Sequence, residues 1–515
     1  MKKLSILVIL LSLFFAVKAQ KNLEQKYHLD FTQNLDTTYV EALIDGDLPK
    51  KSIIYQFAAT APGTYQTMNI GRFVSDFQAF DKRGRSLKVV KLSVNQYQIE
   101  DSKKLRKLTY KVAETFDTPV EEYSIYLMCG SSIEKDHVLI NAHTLMGYFD
   151  GFQHAPIQVK PITQGDWTTG SALTKTDGYF LANDFDHLVD SPILSGKLTV
   201  ADTTIANTKV DIYTYSQNDL INSKMLLSNM SDMLDAVNAF LVELPVENYT
   251  FLYFFEENIG EKGVTGAWEH SYSSEYILDE GEPTANYMSK VTDIASHEFF
   301  HIVTPLNIHS EIVEQFNFVT PTPSVHLWMY EGVTEWASNI LLFRGGVVPL
   351  EDYLSNAIAT KIYVDEKYFD TSWSLKKLSD ESFNTDGSKQ YGNIYYRGSL
   401  VAGLLDIKLL ELSNGNSGLR ELLLSLIEKY GKGNPVSEQN FFDDITAMTY
   451  PEIGVFFENY ILDNQPLPHQ EYLAKIGLEL SRDEEGRPSV TKMKQISPKQ
   501  KQLFDAWSKN MPLKP

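Results

Sequence analysis

The run ASHEFFHIVTP, Ala295 to Pro305, sets His297 and His301 four residues apart, puts Glu298 directly after the first, and stops at a proline. Its other residues are mostly apolar and read as a buried helix, so three ionisable groups on little more than one turn call for a reason. Residues four apart lie on one face of an α-helix, and two imidazoles so placed can offer nitrogens to a single ion about 2.0–2.1 Å away. Glu298 then stands beside that ion, where its carboxylate can take a proton from an activated water, as in the H-E-x-x-H pattern. The competing reading is chance spacing on a packed helix.

A catalytic zinc takes three protein ligands and keeps one position open. In HLWMYEGVTEWAS, His326 to Ser338, Glu331 opens a helix-like segment and Glu335 follows one turn later on the same face. Glu331 reads as the third ligand. Glu335 reads either as the acceptor that fixes the tautomer of a ligating histidine or as a solvated helix carboxylate. His309 and His326 compete with Glu331, but each sits in a segment broken by proline or polar residues.

Working outward, 515 residues with 43% hydrophobic and 12% aromatic content suffice for two or three domains. MKKLSILVILLSLFFAVKAQ opens with two lysines, runs apolar from about Leu4 to Phe15, and reaches a small-residue cleavage site at Ala19. That pattern predicts a secretory signal peptide over 1–19; the apolar run falls short of the roughly 20 residues a membrane span needs. No later segment reads as a span. The route implied is bacterial export to the periplasm or the medium. Cys129 is the only cysteine, so neither a disulfide framework nor a cysteine metal cluster is possible, and it reads as a core residue. The net charge of −21, more negative once Lys2, Lys3 and Lys18 leave with the signal, argues against nucleic acid and anionic membranes as partners.

Alternating runs such as KSIIYQFAAT and KLTYKVAETF, separated by turn residues, predict an antiparallel β-domain over about Tyr27 to Pro161. INSKMLLSNMSDMLDAVNAFLVEL has helical periodicity, TFLYFFEEN reads as a buried strand, and helices dominate beyond Asp293. The last forty residues read as a short helical or irregular tail.

HEFFH followed by LWMYEGVTEWAS, together with GAWEHSYSS (Gly266 to Ser274), YYRGSLVAGLLDI (Tyr395 to Ile407), APGTYQTMNIGRFVSDFQAFDKRGRSLKVVK (Ala61 to Lys91) and FDHLVDSPI (Phe185 to Ile193), resembles the glycyl aminopeptidase family of gluzincin zinc metallopeptidases, which is related in fold to the aminopeptidase N type. The resemblance implies an α+β multidomain chain. An N-terminal β-sandwich-like domain (20–190) would precede a thermolysin-like catalytic domain (191–410) and a C-terminal helical region and tail (411–515).

It also implies one zinc ion on His297, His301 and Glu331, with Glu298 as general base. The motif the family writes GGLEH corresponds to an edge strand in which Gly266 and Ala267 bind peptide backbone and Glu269 meets the substrate's α-ammonium. Tyr395 would donate to the oxyanion, with Tyr396 as the nearest alternative. The chain departs from the family at Ala267 and Trp268, where Gly-Leu is usual, at Arg397 in place of lysine, and in TPLNIHS after the second histidine; no room remains after Leu480 for the PDZ domain of many members. The bulky Trp268 leaves preference for amino-terminal glycine or alanine open. The expected activity is aminopeptidase cleavage of peptides with a free amino terminus; a zinc endopeptidase and a non-catalytic peptide-binding protein on the same scaffold are the alternatives.

Overall fold

Period-two alternation builds the first half of the molecule. In the computed structural model, which describes residues 23–509 apart from 34, 35, 50, 121–123 and 432, Tyr27 and Leu29 pair with Ala42 and Val40 of the neighbouring strand, which pair in turn with Leu108 and Tyr110. All six are buried on one face of an eight-stranded sheet. The expected signal peptide lies outside the described residues. Two four-stranded sheets complete this region, whose pairings are antiparallel as expected except one: Glu24–Asp30 runs parallel to Ile157–Ile162. That pair joins segments more than a hundred residues apart, so no turn between them announces it.

The next sheet has five strands in the order Thr199–Ile205, Thr208–Ser216, Asn248–Glu256, Ser273–Asp279, Gly266–His270. Helix Ser223–Leu241 makes the crossover between two parallel strands, and the Asn222 side chain caps it by accepting from Lys224 and Met225 N–H. The central strand Asn248–Glu256 is buried from its second residue to its last because both faces are covered. Tyr249, Phe251, Tyr253 and Phe255 enter the core shared with the helices, whereas Leu252 and Phe254 pack on Phe116, Leu127, Leu139 and Leu194 of the first half. Gly266–His270 is left as the edge, antiparallel to Ser273–Asp279.

Helix Ala285–Phe300 packs on this sheet, and helices Thr334–Arg344 and Asn393–Leu412 stack beyond it in the same core. None among the described residues is long and apolar enough to cross a membrane. The end of the chain differs from the expected tail. Leu478–Arg482 and Pro488–Lys492 form a hairpin, and helix Pro498–Trp507, opened by a Ser497/Gln500 capping box, inserts Trp507 into the core. The hairpin strands are short and largely exposed, which is why their alternation is faint in the sequence.

Arg344 fastens this end: its Nε donates to the Trp507 carbonyl at 2.8 Å and its Nη2 to Asp406 Oδ2 at 2.9 Å, while Asp406 Oδ1 accepts from Leu419 N–H at 2.7 Å. Both side chains are buried. Asp406→Ala leaves the guanidinium without its anion, and the expected loss of unfolding free energy in urea titration is about 3–5 kcal/mol.

Candidate metal centre and catalytic pocket

Helix Ala285–Phe300 starts on Thr284, whose hydroxyl accepts from Tyr287 N–H, and ends at His301, still in right-handed helical geometry. The four-residue spacing therefore holds, and the imidazole centroids are 4.8 Å apart. Each far nitrogen is engaged. His297 Nδ1 meets Glu335 Oε2 at 2.8 Å, and His301 Nδ1 meets the Thr304 carbonyl at 2.9 Å. A carbonyl only accepts, so His301 carries its proton on Nδ1 and presents a bare Nε2.

Glu331 lies in a π-helical turn, Trp328–Val333, immediately before helix Thr334–Arg344. Its Oε2 is 3.5 Å from His297 Nε2 and 3.6 Å from His301 Nε2, is buried, and has no hydrogen-bond partner. Two imidazole nitrogens and an orphaned carboxylate oxygen thus converge with separations close to the roughly 3.4 Å between ligand atoms of a tetrahedral zinc. The donor set fits a metal ion. His309 and His326 do not join it: His309 is held by the Pro305 carbonyl and Glu314, and His326 by the Glu438 carbonyl among Phe441 and Phe442.

A cavity of about 90 Å³ adjoins these atoms, lined by Gly63, Met128, Ala267, Glu269, Glu298 and Tyr395 among others, Cys129 included. Glu269 and Glu298 each bring an oxygen within 4.8 Å of the His301 ring nitrogen and of each other. Burial pushes the Glu298 carboxyl up to about 7, His297 pulls it back, and Glu331 and Glu335 add to the rise. The Glu269 carboxyl is driven well above the usual range by burial, then by Glu331 and Glu298. No lysine or arginine among the described residues lines the cavity. Three carboxylates facing one small space match one divalent cation and one ammonium.

Along the edge strand, Ala267 packs toward the helical core whereas the Trp268 ring packs into the core of the first half, yet its Nε1 edge stays beside Glu269: a Cβ on Gly63 would meet both, and both line the cavity. The Trp268 Nε1 donates to the Pro62 carbonyl at 3.2 Å and the ring packs on His143 and His270. Pro62 belongs to a loop that brings Gly63 against Glu269. With φ +79°, Gly63 occupies backbone space that favours glycine, and a Cβ there would fall 2.5 Å from Glu269 Oε1. Sequence reading missed this loop as a wall of the site.

Tyr395 lines the cavity, its ring 5.6 Å from that of His297, whereas Tyr396 packs on Phe369 outside it. Gly398, three residues on, explains the placement of helix Asn393–Leu412. A Cβ on Gly398 would sit 2.8 Å from Gly332 Cα, and one on Gly332 only 2.6 Å from Gly398 Cα, so the two backbones touch and bring Tyr395 beside Glu331. Arg397 points away and pairs with buried Asp365 at 3.3 Å. Two further groups went unnoticed in the sequence: Tyr391, on the same wall, and Lys361, whose Nζ meets Glu335 Oε1 at 2.5 Å. Burial opposes ionisation of Glu335, but Lys361 and His297 together hold its carboxyl far below the usual range.

Comparison with known proteins agrees with this architecture. The model of the peptidase M61 N-terminal domain matches residues 26–197, and that of the M61 glycyl aminopeptidase matches residues 290–401; together they span more than half of the chain. Among curated proteins, none matches. Among solved structures, the crystal structure of an aminopeptidase N family protein from Idiomarina loihiensis superposes with a TM-score of 0.77 over 92% of this chain and 82% of that one, at 18% identity, a likeness of fold. With an M61 N-terminal domain ahead of an M61 peptidase region, the chain belongs to the M61 glycyl aminopeptidase family of metallopeptidases.

Proposed function

We propose that the protein is an exported, zinc-dependent aminopeptidase that removes small amino-terminal residues, glycine or alanine, from peptides. The observation that carries this reading is the convergence of Glu269, Glu298 and Glu331 with two imidazoles on one small cavity that no lysine or arginine among the described residues lines. His297, His301 and Glu331 would hold zinc, which supplies polarisation of the scissile carbonyl and a lowered water pKa. Glu298 accepts the water's proton on its carboxylate and returns it to the departing amine. Glu269 pairs with the substrate's ammonium, which sets the cut one residue from the amino terminus. The cavity, about 90 Å³, has Gly63 and Met128 among its walls, and the preference for small residues rests on the family resemblance. Export rests on the residue pattern over 1–19.

Tyr395 faces the position where oxygen gains negative charge. Tyr395→Phe is expected to lower kcat by roughly 100- to 1,000-fold with KM and zinc content nearly unchanged, measured by steady-state kinetics and metal analysis.

One observation favours a second reading. A cleft of about 580 Å³ continues past Glu269 along His270 to Tyr272 and shares Gly63 and Trp268 with the catalytic cavity. Such a cleft has room for residues ahead of the cleaved bond, as an endopeptidase requires. Glycyl, alanyl and leucyl reporter amides, each with a free and an acetylated amino terminus, decide between the two. Cleavage of free glycyl and alanyl forms alone supports the aminopeptidase; equal cleavage of acetylated forms replaces it with the endopeptidase; one bound zinc with no cleavage leaves a peptide-binding scaffold.

A further inference from the structure

Burying an ammonium is costly unless an anion answers it. Lys361, on helix Thr360–Tyr368, is only 6% exposed, and its side chain borders a small, largely apolar cavity with Trp336, Leu400, Leu404 and Trp507. Its Nζ meets Glu335 Oε1 at 2.5 Å, and Asn339 Nδ2 donates to the same oxygen at 3.2 Å. The other oxygen, Oε2, takes the 2.8 Å contact with His297 Nδ1. Glu335 is therefore held from both ends, and its plane fixes the direction in which His297 presents Nε2.

We propose that Lys361 is a positioning residue for the metal centre: through Glu335 it locks the orientation of the His297 ring, so that the three ligand atoms are in place before an ion arrives. Without Lys361, Glu335 keeps one side-chain tether on Oε1 and can swing about its last torsion, carrying the imidazole with it. Outer partners of this kind govern about 10- to 100-fold in metal affinity. The proposal rests on His297, His301 and Glu331 being the metal ligands.

The test is zinc affinity of the full chain, by competition with a chromogenic chelator, alongside the absorption spectrum of the cobalt-loaded protein. Lys361→Met, which keeps the apolar stem, is expected to bind zinc roughly 10- to 100-fold more weakly and to alter the cobalt bands, and Lys361→Arg to recover most of the affinity. A merely structural lysine would shift the melting temperature of the metal-free protein but not the affinity of its folded form. Wild-type affinity and spectrum in Lys361→Met overturn the proposal. Failure of the wild type itself to bind one zinc overturns the ligand assignment on which it stands. Should Lys361→Met not fold, Glu335→Gln is compared with the Glu335→Gln/Lys361→Met double variant, which buries no unpaired charge. Equal affinities are expected if Lys361 acts only through Glu335, and a further loss in the double variant overturns that route.

Discussion

Replacing Glu298 by glutamine is expected to lower kcat by roughly 100- to 10,000-fold while zinc remains bound at one per chain. The amide keeps the size of the carboxylate but cannot accept the proton. Glu298 lies on the cavity wall next to His297 without belonging to the His297, His301 and Glu331 donor set, so the substitution separates proton transfer from metal binding. Metal analysis and turnover of a free-amine reporter on the same preparation check both halves. A variant that still turns over at wild-type rates would exclude Glu298 as the base, and one that lost its zinc would make Glu298 a determinant of the metal site.

The second large effect concerns Glu269. Removing one member of a buried, hydrogen-bonded charge pair costs about 2–5 kcal/mol, so Glu269→Gln is expected to lower kcat/KM for free-amine substrates by roughly 30- to 5,000-fold. Any residual rate on acetylated substrates should not fall, because those never carried the ammonium. The readout is the ratio of free to acetylated kcat/KM, which should collapse in the variant. An unchanged ratio would detach Glu269 from amine recognition, whatever the absolute rates.

Much of the candidate metal centre is legible in the sequence because its information is local. Four residues on one helix align His297 with His301, and one turn links Glu331 to Glu335. The alternation of buried residues in the first strands and the unbroken apolar run of Asn248–Glu256 are equally local, and both appear in the structure as read. What escaped depends on long-range contact. Lys361 sits among charged neighbours in KIYVDEKY, where nothing local sets it apart; only the approach of its helix to Glu335 buries it. Trp268 reads as a neighbour of Glu269 and is one, but that its ring is also bedded in the core of the first half shows only once that half is in place. Gly63 is one glycine in a turn, and its role needs a loop bonded to a strand some two hundred residues later. The parallel pairing of Glu24–Asp30 and Ile157–Ile162 is hidden for the same reason.

The bond between Pro62 and Trp268 has a consequence for how the molecule can be divided. The loop that carries Gly63 supplies the face opposite Glu269, so the amino-terminal half forms part of the wall of the candidate site. A fragment lacking that half would keep both histidines and Glu331 yet expose the edge strand Gly266–His270, whose Trp268 would lose its packing and whose glutamate would face open water. A chain nicked between the halves should, by contrast, stay assembled and active for as long as the two pieces remain clasped, and catalysis should disappear on their separation and return on their reunion.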